Sequence, residues 1–441
     1  MRRIFSGDQS LKIQMNTDNI KRIYMDHAAA TPLDGRVLAA MTPYMTEEFG
    51  NAGSLYREGR RAKDAVDTAR TTIANILGAH ADEVIFTSGG TEGDTMALAG
   101  VARAYADKGR HIISTTIEHH AVLHTLDALK KEGFEITLVP VGQDGIVDPQ
   151  DIERALRADT ILVSVMYANN EIGTIQPVAE IGKIVRKYRA AKADLSSGPF
   201  FHTDACQAAG YLDLNITKLN TDMLVLNGSK IYGPKGSGVL YLRRGTRMRP
   251  IIFGGAQEGK RRAGTENVAG IIGLAAALQI ASDAREAEST RLEDLRHYFT
   301  SRLTREIHRT VLNGDATRRL PNNINVSILD IEGEATLLYL DVHGIACSTG
   351  SACTSESLDP SHVILALGRP YEYAHASIRF TLGRNTTKEE IDKVMEVLPD
   401  VVKTLRRISP ITVSEDATGM SHPEAFAGEG LRVKATSKNY K

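Results

Sequence analysis

A lysine that follows an apolar strand and stands between small residues is hard to explain by solvation. In this chain Lys230 sits in Asn227-Gly228-Ser229-Lys230-Ile231-Tyr232-Gly233-Pro234-Lys235-Gly236, directly after the apolar stretch Met223–Leu226. One strand earlier, Phe200–Thr203 ends in Asp204. A lysine amine becomes a nucleophile when desolvation or a nearby positive charge lowers its pKa. A strand-end lysine beside a strand-end carboxylate is the pairing needed for a Schiff base to pyridoxal 5'-phosphate, the carboxylate facing the protonated ring nitrogen. A third fragment, Gly89-Gly90-Thr91-Glu92 after Val84–Thr87, reads as a strand, a glycine turn and a helix start. Backbone N–H groups at such a turn favour an anion such as phosphate. Any single turn of this kind is more often a plain tight turn.

These fragments need a scaffold that presents strand ends together. Short apolar stretches recur at Val84–Thr87, His111–Ser114, Ile136–Val139, Thr160–Met166, Phe200–Thr203, Met223–Leu226 and Val239–Leu242, with helical patterns between most of them. Ala62, Ala65, Val66, Ala69, Ile73 and Ile76 recur at helical spacing before Gly78, and Asp148-Pro149 is a cap followed by a first-turn proline. Repeated strand–helix–strand units predict a doubly wound, mostly parallel sheet, in which ligands bind beyond the carboxyl ends of the strands. A long helical stretch, Val268 to Ile307, leads to a second α+β pattern with apolar stretches at Asn323–Ile328 and Ser377–Thr381 and a helix from Lys388 to about Leu405. The expected division is a large domain over 33–285, a small domain from 1–32 and 286–408, and a flexible tail over 409–441.

Composition narrows the classes without excluding nucleic acid. The 441 residues are 42% hydrophobic and 24% charged with a net charge of −1, ordinary for a soluble globular protein and without a basic excess that would argue for nucleic acid. No apolar run is expected to span a membrane, and Met1–Asn19 lacks the apolar core of a secretory signal, so a cytoplasmic location is expected. Three cysteines, Cys206, Cys347 and Cys353, are too few for a disulfide framework. They show no Cys-x-x-Cys spacing, and no metal site is expected. Cys353 stands apart, in the small polar run Ser348-Thr349-Gly350-Ser351-Ala352-Cys353-Thr354-Ser355.

From Asp26 to about Leu405 the chain resembles cysteine desulfurases of the NifS/IscS type, which are class V aminotransferase-family enzymes of fold type I. The resemblance is carried by Asp26–Pro32, Phe86–Glu92, Glu118–Val122, Asn169–Gly173, His202–Gln207, Lys230–Gly236, Ala263–Asn267, Ser348–Ser355 and Ser377–Arg384, in matching order and spacing. It implies an aspartate aminotransferase-like large domain and a smaller α+β domain. The implied reaction converts L-cysteine to L-alanine and leaves a persulfide on Cys353. The implied sulfur acceptor is a protein of iron–sulfur cluster assembly or tRNA thiolation.

The resemblance also implies individual roles. Lys230 holds the cofactor and moves protons, and Asp204 meets the ring nitrogen. Asn170 and Gln207 approach the ring hydroxyl, with Asn170 also near substrate. His119 stacks on the ring and serves as acid–base; of the adjacent pair only His119 is expected to face it. Gly90 and Thr91 hold the phosphate, and Thr265 reaches it from the second subunit of a homodimer. Arg379 binds the substrate carboxylate, a task suited to a bidentate fork. Cys206 and Cys347 are expected to be structural.

The chain departs from the family pattern in places. Asn227 and Ser229 stand where the family has serine and histidine, and both retain hydrogen-bonding groups for the phosphate. Asn51–Tyr56 is altered, and the loop before Phe200 is longer. Two rivals predict different observations. An aminotransferase or selenocysteine lyase would not need Cys353. A degenerate scaffold protein would have lost its cofactor residues, whereas Lys230, Asp204, Gln207 and Arg379 are all present.

Overall fold

A computed structural model describes residues 22–192, 198–350 and 360–409. The strands in chain order are β1 (Ile23–Tyr24), β2 (Val84–Thr87), β3 (His111–Thr115), β4 (Glu135–Val139), β5 (Thr160–Ser164), β6 (Phe200–Asp204), β7 (Met223–Asn227), β8 (Gly238–Leu242), β9 (Thr310–Leu312), β10 (Asn323–Ile328), β11 (Ile345–Ala346) and β12 (Ser377–Thr381). Each of the seven apolar stretches named above forms a strand of one sheet, in the order β2-β8-β7-β6-β5-β3-β4. Within it β8 runs antiparallel to β2 and β7, and the other pairings are parallel. Central strands covered on both faces read as unbroken apolar runs rather than as an alternation. Of the two edge strands, β2 is buried and β4 is partly exposed.

Helices cover this sheet. In Arg57–Leu77 the buried residues Ala62, Val66, Ala69, Ile73 and Leu77 form the inward stripe. The helix ends at Gly78, whose φ of 68° is the left-handed cap that a glycine adopts without steric cost. Pro149–Ala155 begins behind Asp148, whose carboxylate accepts the Gln150 N–H. The helix Val268–Glu306 is 39 residues long. By length and composition its apolar part could cross a membrane, counter to the sequence reading. Here Ile271, Leu274, Ala275 and Leu278 join the core beneath the large sheet.

The far half of that helix leads to a second core. Phe299 and Leu303 pack with Ile324, Val326, Phe380, Val394 and Leu398. These side chains come from the antiparallel sheet β12-β10-β9 and from the helix Lys388–Ile408, which opens with a Thr387–Glu390 capping box. Strands β1 and β11 pair in parallel. Single bridges from Asp26 to Thr381 and from Ser348 to Arg379 bring the chain start and the approach to Cys353 alongside β12. Cys353, all of the expected 409–441 tail except its first residue, and residues 193–197 of the loop before Phe200 lie outside the described residues.

Candidate active site

The sheet order explains why Asp204 and Lys230 meet. Strands β6 and β7 are parallel neighbours with Asp204 opposite Val225, so both chains leave the sheet at the same edge. Asp204 and Lys230 line one cavity of about 290 Å³. Its walls also carry Gly90, Thr91, His119, Asn170, Gln207 and Arg379. Among the sequence-derived candidates, Asn227 lies on this wall too. Ser229 and Thr265 do not. Thr265 opens on a separate cavity of about 230 Å³ with Ser88, Ser237 and Arg262.

Local hydrogen bonds fix the polar groups. The Lys230 amine donates to the carbonyls of Ala28 and Ala29, at 2.8 and 2.6 Å. Gln207 donates to the same Ala28 carbonyl at 3.0 Å. A carboxylate oxygen of Asp204 accepts the Cys206 N–H at 2.8 Å, which sets its rotamer at the end of β6. The Asn227 side-chain carbonyl accepts from the Ser229 N–H and hydroxyl, at 3.1 and 3.0 Å. Ser229 therefore orients Asn227 and does not face the cavity itself.

Gly90 begins a helix, and the first N–H groups of a helix have no partner within it. A side chain at Gly90 would come within 2.8 Å of the Cys206 sulfur, so this turn can approach the end of β6 only as glycine. His119 caps the helix His120–Lys131, its Nδ1 accepting the Ala121 N–H at 3.1 Å. That bond uses the Nδ1 lone pair, so the proton of the neutral ring sits on Nε2.

Arg379 is buried and paired. Its guanidinium reaches the Asp26 carboxylate at 2.8 Å and donates to the Asn170 carbonyl at 2.9 Å, while its buried Nε–H has no acceptor. The group expected to bind a substrate carboxylate thus has a donor to spare and a resident counter-charge.

Sequence reasoning missed several residues of this wall. His120 lines it as well as His119, although only one of the two was expected to do so. His362 completes that side, and its Nε2 donates to the Glu118 carbonyl at 3.0 Å. Asp94 lies beneath, one helical turn after Gly90, a spacing that could have flagged it. Burial, with Asp204 and Glu118 nearby, pushes the Asp94 carboxyl well above the usual range. Burial also raises Glu118 to about 8, against hydrogen bonds from Thr115 and Met166. It holds His202 down to about 4. Burial thus disfavours the charged forms of Asp94, Glu118 and His202, the buried groups near Asp204. Burial raises the thiol pKa of Cys206, helped by Asp204, and that of Cys347 to about 12.

The donor set suits pyridoxal 5'-phosphate: an amine, a strand-end carboxylate and a glycine-based helix start around one cavity. Comparison with known proteins agrees with this chemistry. Residues 23–394 match the family model for aminotransferase class V. A cysteine desulfurase IscS from Dictyoglomus turgidum is 50% identical over 390 residues, covering 88% of this chain and 97% of that relative. One from Methanosarcina thermophila is also 50% identical, over 404 residues, covering 92% and 97%. Among solved structures, a NifS-like protein superimposes with a TM-score of 0.81 at 35% identity, over 87% of this chain and all of its own. SspA in complex with cysteine gives 0.71 at 32% identity, over 82% of this chain and 99% of its own. The chain belongs to the class V aminotransferase family, whose members depend on pyridoxal 5'-phosphate, and within it to the cysteine desulfurases of the NifS/IscS type.

Proposed function

We propose that this chain binds pyridoxal 5'-phosphate on Lys230 and converts L-cysteine to L-alanine, the sulfur leaving as the outer atom of a persulfide on Cys353. The observation that carries this reading is the convergence of Lys230, Asp204 and Arg379 on one cavity. The cofactor, when bound, withdraws electrons from the substrate carbons and so weakens the carbon–sulfur bond.

The chain's own groups do the rest. Asp204 supplies a fixed negative charge to the ring nitrogen. Asn170 and Gln207 border the ring hydroxyl, and the Gly90–Thr91 turn with Asn227 receives the phosphate, Ser229 holding Asn227 in place. Arg379 takes the substrate carboxylate with the Nε–H that has no partner. Lys230 moves a proton at the substrate carbon through Nζ, which the Ala28 and Ala29 carbonyls orient. His119 keeps its proton on Nε2 and can donate it without losing the cap on its helix. Sulfur transfer breaks one carbon–sulfur bond and forms one sulfur–sulfur bond: the Cys353 thiolate supplies the electron pair of the new bond, and the pair of the broken bond stays with the substrate carbon, which takes up a proton to become the methyl group of alanine.

In this reading Thr265 completes the phosphate site of a second subunit in a homodimer. Residues 33–285 form the cofactor domain, with 1–32 and 286–408 as the small domain. The protein is cytoplasmic and hands sulfur to a protein of iron–sulfur cluster assembly or tRNA thiolation. The test is to supply L-cysteine and a thiol reductant and to measure alanine and sulfide. Equimolar production, lost in Cys353→Ser, supports the assignment. Alanine formation that persists undiminished in Cys353→Ser rejects the persulfide route.

A further inference from the structure

Beside the Lys230 cavity stands a group of imidazoles that the desulfurase reaction leaves without a task. His120 and His124 are four residues apart on the helix His120–Lys131, so they share one face. Their ring centroids are 5.0 Å apart. His362, the first residue of the helix His362–Ala366, places its ring centroid 4.9 Å from that of His120. His119 is not part of this group, because its Nδ1 is engaged in capping the helix.

Two features make these rings suited to a metal. The first is spacing: histidines at i and i+4 on a helix are the arrangement that zinc sites use to present two nitrogens to one ion. The second is the orientation of the second nitrogen. Metal-bound histidines commonly donate their other ring N–H to a backbone carbonyl, which fixes the tautomer. His362 does so already, Nε2 to the Glu118 carbonyl, which leaves Nδ1 as its lone-pair nitrogen. His120 Nδ1 is buried with no hydrogen-bond partner, a cost that an acceptor of its lone pair would remove.

We propose that His120, His124 and His362 form a binding site for a late first-row divalent cation such as Co²⁺, Ni²⁺ or Zn²⁺ at the rim of the Lys230 cavity. Imidazole nitrogen favours these ions over Mg²⁺ and Ca²⁺, which prefer oxygen. Among the described residues no three ligand groups already meet at one point. The site is therefore completed only on binding: His120 and His124 close on the ion, His362 keeps its bond to the Glu118 carbonyl and offers Nδ1, and water completes the shell. His124 is exposed, which gives the ion its way in. His120 and His362 share the cavity wall with Arg379. A bound ion thus occupies part of the cavity that Arg379 also lines and leaves less room there for an amino acid. That consequence rests on the proposed function; the binding itself does not.

The experiment uses full-length holoenzyme carrying Cys353→Ser, so that the thiol proposed as nucleophile cannot ligate. Co²⁺ is titrated at pH 8 and binding is followed by its d–d absorption. One equivalent per chain is expected, with affinity reduced at least ~10-fold by His124→Ala, in the range typical for loss of a metal-site partner. His124 is exposed and outside the cavity wall, so this variant tests the clamp without disturbing the fold or the turnover of the Cys353 enzyme. His362→Ala is expected to weaken binding to a smaller degree. In the same protein, saturating Co²⁺ should raise the apparent Kd of L-alanine, read from the cofactor spectrum, and His124→Ala should abolish that effect. Unchanged Co²⁺ affinity in His124→Ala, or binding that does not saturate, overturns the site. Normal Co²⁺ binding without any effect on alanine overturns only the proposed obstruction of the cavity.

Discussion

Arg379 and Asp26 are 353 positions apart in sequence, yet the guanidinium of one lies 2.8 Å from the carboxylate of the other. Their side chains are 3% and 18% exposed, so the pair is close to fully desolvated. Removing one partner of such a pair leaves an uncompensated buried charge. Asp26→Asn should therefore cost about 3 kcal/mol of stability, read as a lower urea midpoint. A substrate-like carboxylate would replace the lost charge, so L-alanine should raise the Tm of the Asp26→Asn holoenzyme more than that of wild type. An equal shift in the two proteins would mean that Arg379 does not receive the carboxylate. Arg379→Lys keeps the charge but loses the fork, and KM for cysteine should rise by roughly 10- to 100-fold.

The two backbone carbonyls around the Lys230 amine define a single reach for it. Purified protein should be yellow, and borohydride should fix the cofactor to Lys230 and to no other lysine. Peptide mapping decides this: label on another lysine removes the basis of the cofactor assignment. Lys230→Ala should still bind the cofactor through the remaining contacts, more weakly, and should lose turnover by several orders of magnitude.

Ser229 is expected to act through Asn227. Its hydroxyl and N–H hold the Asn227 side-chain carbonyl, which fixes the direction of the amide NH₂. Ser229→Ala removes one neutral hydrogen bond, worth about 1 kcal/mol, so cofactor affinity of the apo form should fall about 5-fold. Asn227→Ala should cost more. If Ser229→Ala binds the cofactor as wild type does while Asn227→Ala does not, the orienting role is wrong.

Cys206 and Cys347 should be inert. Burial raises both thiols, Cys347 to about 12, so neither offers appreciable thiolate at pH 8. Iodoacetamide at that pH should label Cys353 first, and Cys347→Ser should keep most activity. Mass spectrometry of enzyme treated with cysteine should find the extra sulfur on Cys353. Finding it on Cys206 or Cys347 would show that burial does not protect these thiols.

The strands of the large sheet were legible because a buried central strand is an unbroken apolar run: Met223–Leu226 and Phe200–Thr203 differ from the observed β7 and β6 by one residue each. Lys230 and Asp204 were legible for the same reason, since a charge at the end of such a run needs an explanation. The imidazole wall was not. His120 and His124 stand four apart in plain view, but their relation to His362, 238 positions beyond His124, exists only once the helix His362–Ala366 packs beside Glu118. Asp94 was missed because a lone acid in a helix is ordinarily a solvated one, and its burial depends on where β6 passes. The Asp26–Arg379 pair likewise follows from the bridge between Asp26 and Thr381, which no local pattern announces.

Glu118 gives the last expectation, in pH. Its carboxyl is fully buried, accepts from the Thr115 hydroxyl at 2.7 Å and the Met166 N–H at 3.0 Å through one oxygen, and leaves the other oxygen without a partner. Burial raises its pKa to about 8, whereas the unfolded chain titrates near the ordinary 4.5. Below pH 4.5 both states are protonated and Glu118 adds no pH dependence. Between 4.5 and 8 the unfolded state loses its proton while the folded state keeps it, so the unfolded state binds fewer protons and stability falls as pH rises. Above 8 both are ionised and the loss is complete, on the order of 2–5 kcal/mol. His202 acts in the opposite direction lower on the scale. It is held at about 4 and resists protonation, so stability from this group is lost as pH falls from 6.5 toward 4. Glu118→Gln removes the titration but keeps the acceptor for Thr115 and Met166. Urea midpoints at pH 5.5 and 8.5 should fall with pH in wild type and differ less in Glu118→Gln. The variant should therefore gain relative to wild type at pH 8.5. Parallel midpoints in the two proteins would show that Glu118 is already ionised in the folded state at pH 5.5.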